Sequence, residues 1–295
     1  MGLNTIQADL SHMVNDVKLE QNIKKREKNF NAVVRKASSF DLWFDSMYRY
    51  AKEALVADPE AGKLETWEAW VALMQYYGAA LAATTGPEGT EVECRLGHQV
   101  RRITGIGTRY FTNAGNWETA FYLAVTCRDR KRVENQCSIP VDLLRRAGEG
   151  DGARYNEFTY HWVAALQAYV RGSDSLVGEL RQAMELSDPR TGAFGGDYLN
   201  LISFPQMDVF RCLLKGDSDE FNETLAQGLE WFRDYYSVDR PGQGPLTGVV
   251  PMGLLALACL AHDRSQVDPA FELEVESDCL PKHIVEGSWY GEFPT

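Results

Sequence analysis

Cys94 and His98 lie four residues apart, a spacing that would set a thiol and an imidazole on one face of a helix. Zinc needs three or four such ligands, and no second close pair accompanies them. His161, His262 and His283 stand alone, and no His-Glu-x-x-His occurs, so no metal site is expected. The glycine-rich stretch TGIGTRYFTNAGN (104–116) places Tyr110 where a dinucleotide loop needs glycine. No strand pattern precedes it, and no Gly-Lys-Ser or Gly-Lys-Thr follows, so it reads as a surface loop between helices rather than a phosphate cradle. A Gly-x-Ser-x-Gly elbow is also missing. Glu65 and Glu68, three apart beside Trp67, could support acid–base work. They follow Leu64 at an expected helix start, where carboxylates complement the helix dipole. The residues therefore name no catalytic, cofactor-binding or metal-ligating group, and the chain reads as a non-enzyme.

One charged pattern remains. With Glu220 set at 0° and about 100° per residue, Glu223, Gln227, Glu230 and Asp234 fall between −80° and 0°. Phe221, Leu225, Gly228, Leu229, Phe232 and Tyr236 fall between 80° and 180° on the same wheel. A single helix thus carries an acidic stripe about 21 Å long opposite its apolar face. Glu220, Glu223, Glu230 and Asp234 are the candidate partner-binding residues, suited to a protein with a basic surface.

Helix periodicity dominates the chain that must position these residues. Helical segments are expected over 40–56, 64–83, 114–127, 140–146, 157–171, 173–186, 204–214, 218–236 and 246–262, with no convincing strand alternation. Asp58-Pro59, Gly86-Pro87, Asp188-Pro189 and DRPGQGP (239–245) supply the breaks. Short breaks favour antiparallel neighbours. The expected fold is all-α, an irregular stack of antiparallel helical hairpins, tetratricopeptide-like but without a strict 34-residue repeat. Trp67, Trp70, Trp117, Trp162 and Trp231 are expected in its core. Residues 1–36 carry seven Lys or Arg against four Asp or Glu and read as a basic, loosely attached helical arm. Residues 37–295 read as one domain, whose acidic tail packs back through Trp289, Tyr290 and Phe293.

The 295 residues carry 42 Asp and Glu against 30 Lys and Arg, a formal charge of −12. That balance argues against a general nucleic-acid or anionic-membrane binder, whose phosphate contacts need clustered cations. No apolar run approaches a membrane span, and the N-terminus lacks the basic start and apolar core of an export signal. None of the six cysteines forms a Cys-x-x-Cys pair, and most lie in apolar runs such as AVTC and LALACLA. They read as buried thiols in a reducing cytoplasm.

The segments DPEAGKLETWEAWVALMQ (58–75), VECRLGHQVR (92–101), AGNWETAFYLAVTCRDRKR (114–132) and IPVDLLRRAG (139–148) resemble the immunity protein 49 family of bacterial polymorphic toxin systems. So do YNEFTYHWVAALQAYV (155–170), GDSDEFNETLAQGLEWFRDYY (216–236) and the C-terminal EVESDCLPKHI…WYGEFPT. The likeness covers about residues 40–295. It implies an all-α immunity protein that binds and neutralises a cognate toxin domain acting in the cytoplasm, with no cofactor and no catalytic residues to carry over. Two other functions fit the residues: a helical scaffold or regulator with a non-toxin partner, and an enzyme that reverses toxin damage.

Overall fold

The computed structural model describes residues 14–150, 152–238, 240 and 243–295. Asn15 caps the first described helix, α1 (Asp16–Arg35), its side chain accepting from the Lys18 amide at 2.9 Å. A 3-10 turn (Ala37–Leu42) leads to α2 (Phe44–Ala57) and then to α3 (Leu64–Thr85). Helix α3 is apolar all round, which suits a helix enclosed on every side. It packs against α2, a β-hairpin and the later helix α4 (Ala114–Thr126). Trp67 and Trp70 are buried on it, and the Trp70 indole donates to Thr126 Oγ1 at 2.9 Å. The Tyr76 hydroxyl donates to the Phe40 carbonyl at 2.7 Å, tying the turn before α2 to the same helix.

The β-hairpin departs from the all-helical expectation. Strands β1 (Glu91–Leu96) and β2 (Gln99–Thr104) pair antiparallel, with Leu96 opposite Gln99 and Cys94 opposite Arg101. Gly97 and His98 turn the chain with φ of 59° and 63°, the left-handed pair that a two-residue hairpin turn requires. A helix cannot pass through two such residues, so Cys94 and His98 never share a helix face. The strands escape notice because Arg and Glu fill their outer positions and the turn is Gly-His rather than Asn-Gly. A side chain at Gly97 would also meet the Phe30 ring at 2.9 Å, so the turn is seated on α1.

The rest of the body is helical: α5 (Arg130–Cys137), α6 (Val141–Glu149), α7 (Glu157–Arg171) and α8 (Leu176–Leu186) follow α4. Then come α9 (Phe204–Lys215), α10 (Ser218–Ser237), α11 (Met252–Ser265) and the short α12 (Lys282–Val285). Gly172 closes α7 and Gly216 closes α9, both in the left-handed region, and each turns the chain into a helix hairpin. The molecule is therefore mostly helical, as expected. Among the described residues no helix is long and apolar enough to cross a membrane.

Three packing expectations change. Residues 1–13 of the basic arm lie outside the described residues, but α1 is docked on the body rather than loosely attached. It buries Asn22, Arg26, Asn29, Phe30 and Val33 against α2, the 3-10 turn and β2. Trp67, Trp70, Trp117 and Trp162 are buried, whereas Trp231 is half-buried on the outer side of α10. On the helix wheel Trp231 falls at about 20°, beside the acidic stripe rather than on the apolar face. Of the tail aromatics, Trp289 and Phe293 pack on the core while Tyr290 is exposed. The Trp289 indole donates to the Ala61 carbonyl at 2.9 Å.

Candidate functional site

Asp217 caps α10, accepting from the Glu220 amide at 3.1 Å, and Phe221, Leu225, Leu229 and Phe232 anchor its inner face. The outer face divides the predicted stripe. Glu223, Glu230 and Asp234 are exposed and make no ion pair among the described residues. Glu220 is drawn inward instead, because α9 ends in cations just across the Gly216 turn. Its carboxylate lies 2.9 Å from Arg211 and 2.5 Å from Lys215. Those two partners hold it below the usual carboxylate range. Gln227 Nε2 donates to Glu230 at 3.2 Å, and Trp231 lies beside them. Three of the four predicted residues thus share an acidic face with a half-buried indole.

A second set of carboxylates lies along the same helix. Residues 271–279 form a strap in which exposure alternates: Glu272, Glu274, Glu276 and Asp278 are exposed, while Leu273, Val275 and Ser277 turn inward. This is the period of two that an extended chain imposes. Side chains of α10 hold it. Ser218 Oγ and Asn222 Nδ2 donate to the Glu272 carbonyl at 2.8 and 2.9 Å, and the Glu274 amide donates to Asn222 Oδ1 at 2.9 Å. Phe271 packs edge-on against Phe221 at the strap's start. Beyond the strap lies a groove of about 670 Å³, whose other wall is the end of α2 and the start of α12. Asp58, Glu60 and Glu286 line that wall, with Lys282 within 4.0 Å of Glu286.

The remaining candidates disperse. Glu65 is exposed, whereas Glu68 faces Arg26 and His98, the latter at 2.8 Å, so the two carboxylates do not work together. Burial pulls the Glu68 carboxyl upward, but the His98 hydrogen bond and the Arg26 charge outweigh it and hold it low. Residues 105–113 do follow a strand, contrary to expectation. Yet Gly105 is pressed against the Pro87 carbonyl and its amide donates to the Thr90 carbonyl at 2.7 Å, which leaves no phosphate cradle. Ile106 and Phe111 are buried, so the loop is part of the core edge. No group of three or more His, Cys, Asp or Glu is placed to hold a metal among the described residues. All six cysteines are free thiols and five are buried; burial pushes Cys259 up to about 11 and Cys137 up to about 12.

Sequence reasoning missed one partly buried acid and base on a shared cavity altogether. A cavity of about 340 Å³ between α2, α4, α9 and α10 is lined by Lys52, Glu118 and four tyrosines. Glu118 has no hydrogen-bond or ion-pair partner among the described residues, and burial pushes its carboxyl up to about 8. Burial pulls Lys52 down to about 8 against the nearby Asp45 charge, and its ammonium lies 4.1 Å from the centre of the Tyr48 ring. Nothing in the spacing of a lone Lys and a lone Glu on two helices signals that they meet one cavity.

No curated protein and no solved structure matches the chain. A sequence model of the immunity protein 49 family matches residues 58–284. That span runs from the loop before α3 into α12 and takes in helices α3 to α11 with the β-hairpin and the strap: the chain belongs to the immunity protein 49 family.

Proposed function

We propose that this protein neutralises a cognate toxin domain of a polymorphic toxin system by binding it one-to-one and covering its active surface. Family membership carries the reading, and the acidic outer side of α10 with its strap supports a toxin whose contact surface is basic. Aromatic anchors ringed by complementary charge are a common form of binding hot spot, and Trp231 has that setting. Six unpaired thiols suit a reducing compartment, so the toxin it meets acts in the cytoplasm. Co-expression with the toxin encoded beside it tests this. Protection together with a complex that survives size-exclusion chromatography is expected. Persistent toxicity with no complex would overturn the reading.

The enzymatic alternative has one structural foothold, the Glu118–Lys52 cavity with its acid and base both shifted to about 8. It requires protection at substoichiometric amounts of the protein. Strict one-to-one protection excludes it.

A further inference from the structure

The strap has one edge, at Leu273 and Val275, that nothing among the described residues covers. The backbone groups of Glu272 and the amide of Glu274 turn toward α10, where Ser218 and Asn222 take them. In an extended chain the neighbouring residues present their N–H and C=O groups to the opposite side. Among the described residues the backbone N–H and C=O groups of Leu273 and Val275 meet no hydrogen-bond partner. Leu273 and Val275 also border the groove, to whose lining α10 does not contribute. Their side chains rest on the core, which keeps the edge straight.

We infer that this edge, residues 273–277, is a rail on which an extended basic segment of the partner adds as a β-strand. The inference rests on the toxin-binding reading and names how the toxin is held. Main-chain pairing supplies affinity in such strand addition, and the side chains on either hand supply selection. Here selection is by charge. Among the described residues Glu272, Glu274 and Glu276 flank the rail with no cation paired to them, and Glu276 lines the groove together with Glu60. Lys or Arg at every second position of the incoming strand would lie beside these carboxylates. The same charges exclude the simplest competitor, a second copy of this chain, because pairing two straps would oppose like charges. A groove of about 670 Å³ along the rail has room for the added strand's side chains.

A capped peptide of four Lys-Val repeats is a direct probe. It should bind one-to-one, protect the Leu273 and Val275 amides from hydrogen exchange, and weaken tenfold or more with Glu274→Gln and Glu276→Gln together. Two further peptides, N-methylated at every valine or at every lysine, keep all the charge and block opposite backbone edges. Strand pairing predicts at least a tenfold difference in affinity between them. Equal affinities, or no protection at Leu273 and Val275, would show attraction by charge alone and overturn the rail. If these peptide results are negative while the co-expressed toxin still forms its complex, the rail fails and the toxin-binding reading stands. If no toxin complex forms, that reading fails whatever the peptides do.

Discussion

Where α1 lies on the body, Lys18 meets Glu53 at 2.9 Å, Asn22 donates to the same carboxylate at 2.6 Å, and Arg26 closes on Glu68. Where α10 and the strap lie, Glu223, Glu230, Asp234, Glu272, Glu274 and Glu276 face water with no cation paired to them among the described residues. The two regions hold the same kind of group. On the α1 side Lys18 and Arg26 are taken up by acids of α2 and α3, so the charge of these two is structural. On the α10 side the acids are left over, and a surplus in water does little for folding. It is available to a partner. Net charge alone does not distinguish these cases; burial and pairing do.

The sharpest contrast is between removing core and removing surface. Trp70→Ala empties a fully enclosed site and strands Thr126, and should cost about 3–5 kcal/mol in denaturant unfolding. An unchanged midpoint would mean that α3 is not the centre of the fold. Next in size, Arg26→Ala leaves the Glu68 carboxylate with only His98 and should cost about 1–3 kcal/mol at neutral pH. The Glu68 carboxyl is held low in the folded state, so its stabilisation is complete above the ordinary value of 4.5. It is lost as pH falls through the lowered value. The gap between wild type and Arg26→Ala should therefore narrow in acid, and a gap independent of pH would deny the pairing its role.

Glu118→Gln should act in the opposite sense. The folded state keeps a proton on Glu118 up to about pH 8, whereas the unfolded chain releases it near 4.5, so this group lowers stability as pH rises between those values. The amide should raise the melting temperature, and raise it more at pH 9 than at pH 5. A variant that melts lower at pH 9 would show that the carboxylate is paired after all. Smallest in stability is the triple reversal Glu223→Lys, Glu230→Lys and Asp234→Lys, expected to stay within about 0.5 kcal/mol of wild type. Its effect belongs to kinetics: toxin association should slow, most visibly at low salt. Unchanged association at low ionic strength would return this face to solvent.

Periodicity carried the reading of the helices because apolar residues recur at helical spacing over long windows, as along α3 and α10. It also placed Glu223, Glu230 and Asp234 on an exposed face. Trp231 shows where composition misleads, since hydrophobic size suggested burial while its own wheel angle set it beside the acids. Glu220 shows the limit of a single helix, because the cations that take it come from α9 across a turn. The hairpin was hidden by its charged outer positions, and the strap by its setting within an acidic tail, although the alternation ELEVESD was there to be seen. The meeting of Lys52 and Glu118 depends on tertiary packing and leaves no local trace.

Helices α1 and α2 precede the span shared with the family, yet they build the same core. Phe30, Phe40 and Phe44 surround the Tyr76 ring at 5.1 to 6.4 Å, and Phe30 seats the hairpin turn. An expression fragment trimmed to residues 58–284 would lose those three phenylalanines, uncovering Tyr76 together with Glu68, and would present sticky apolar surface where the intact chain is closed. The unit of kinship begins later than the unit of folding, and fragment design has to follow the second.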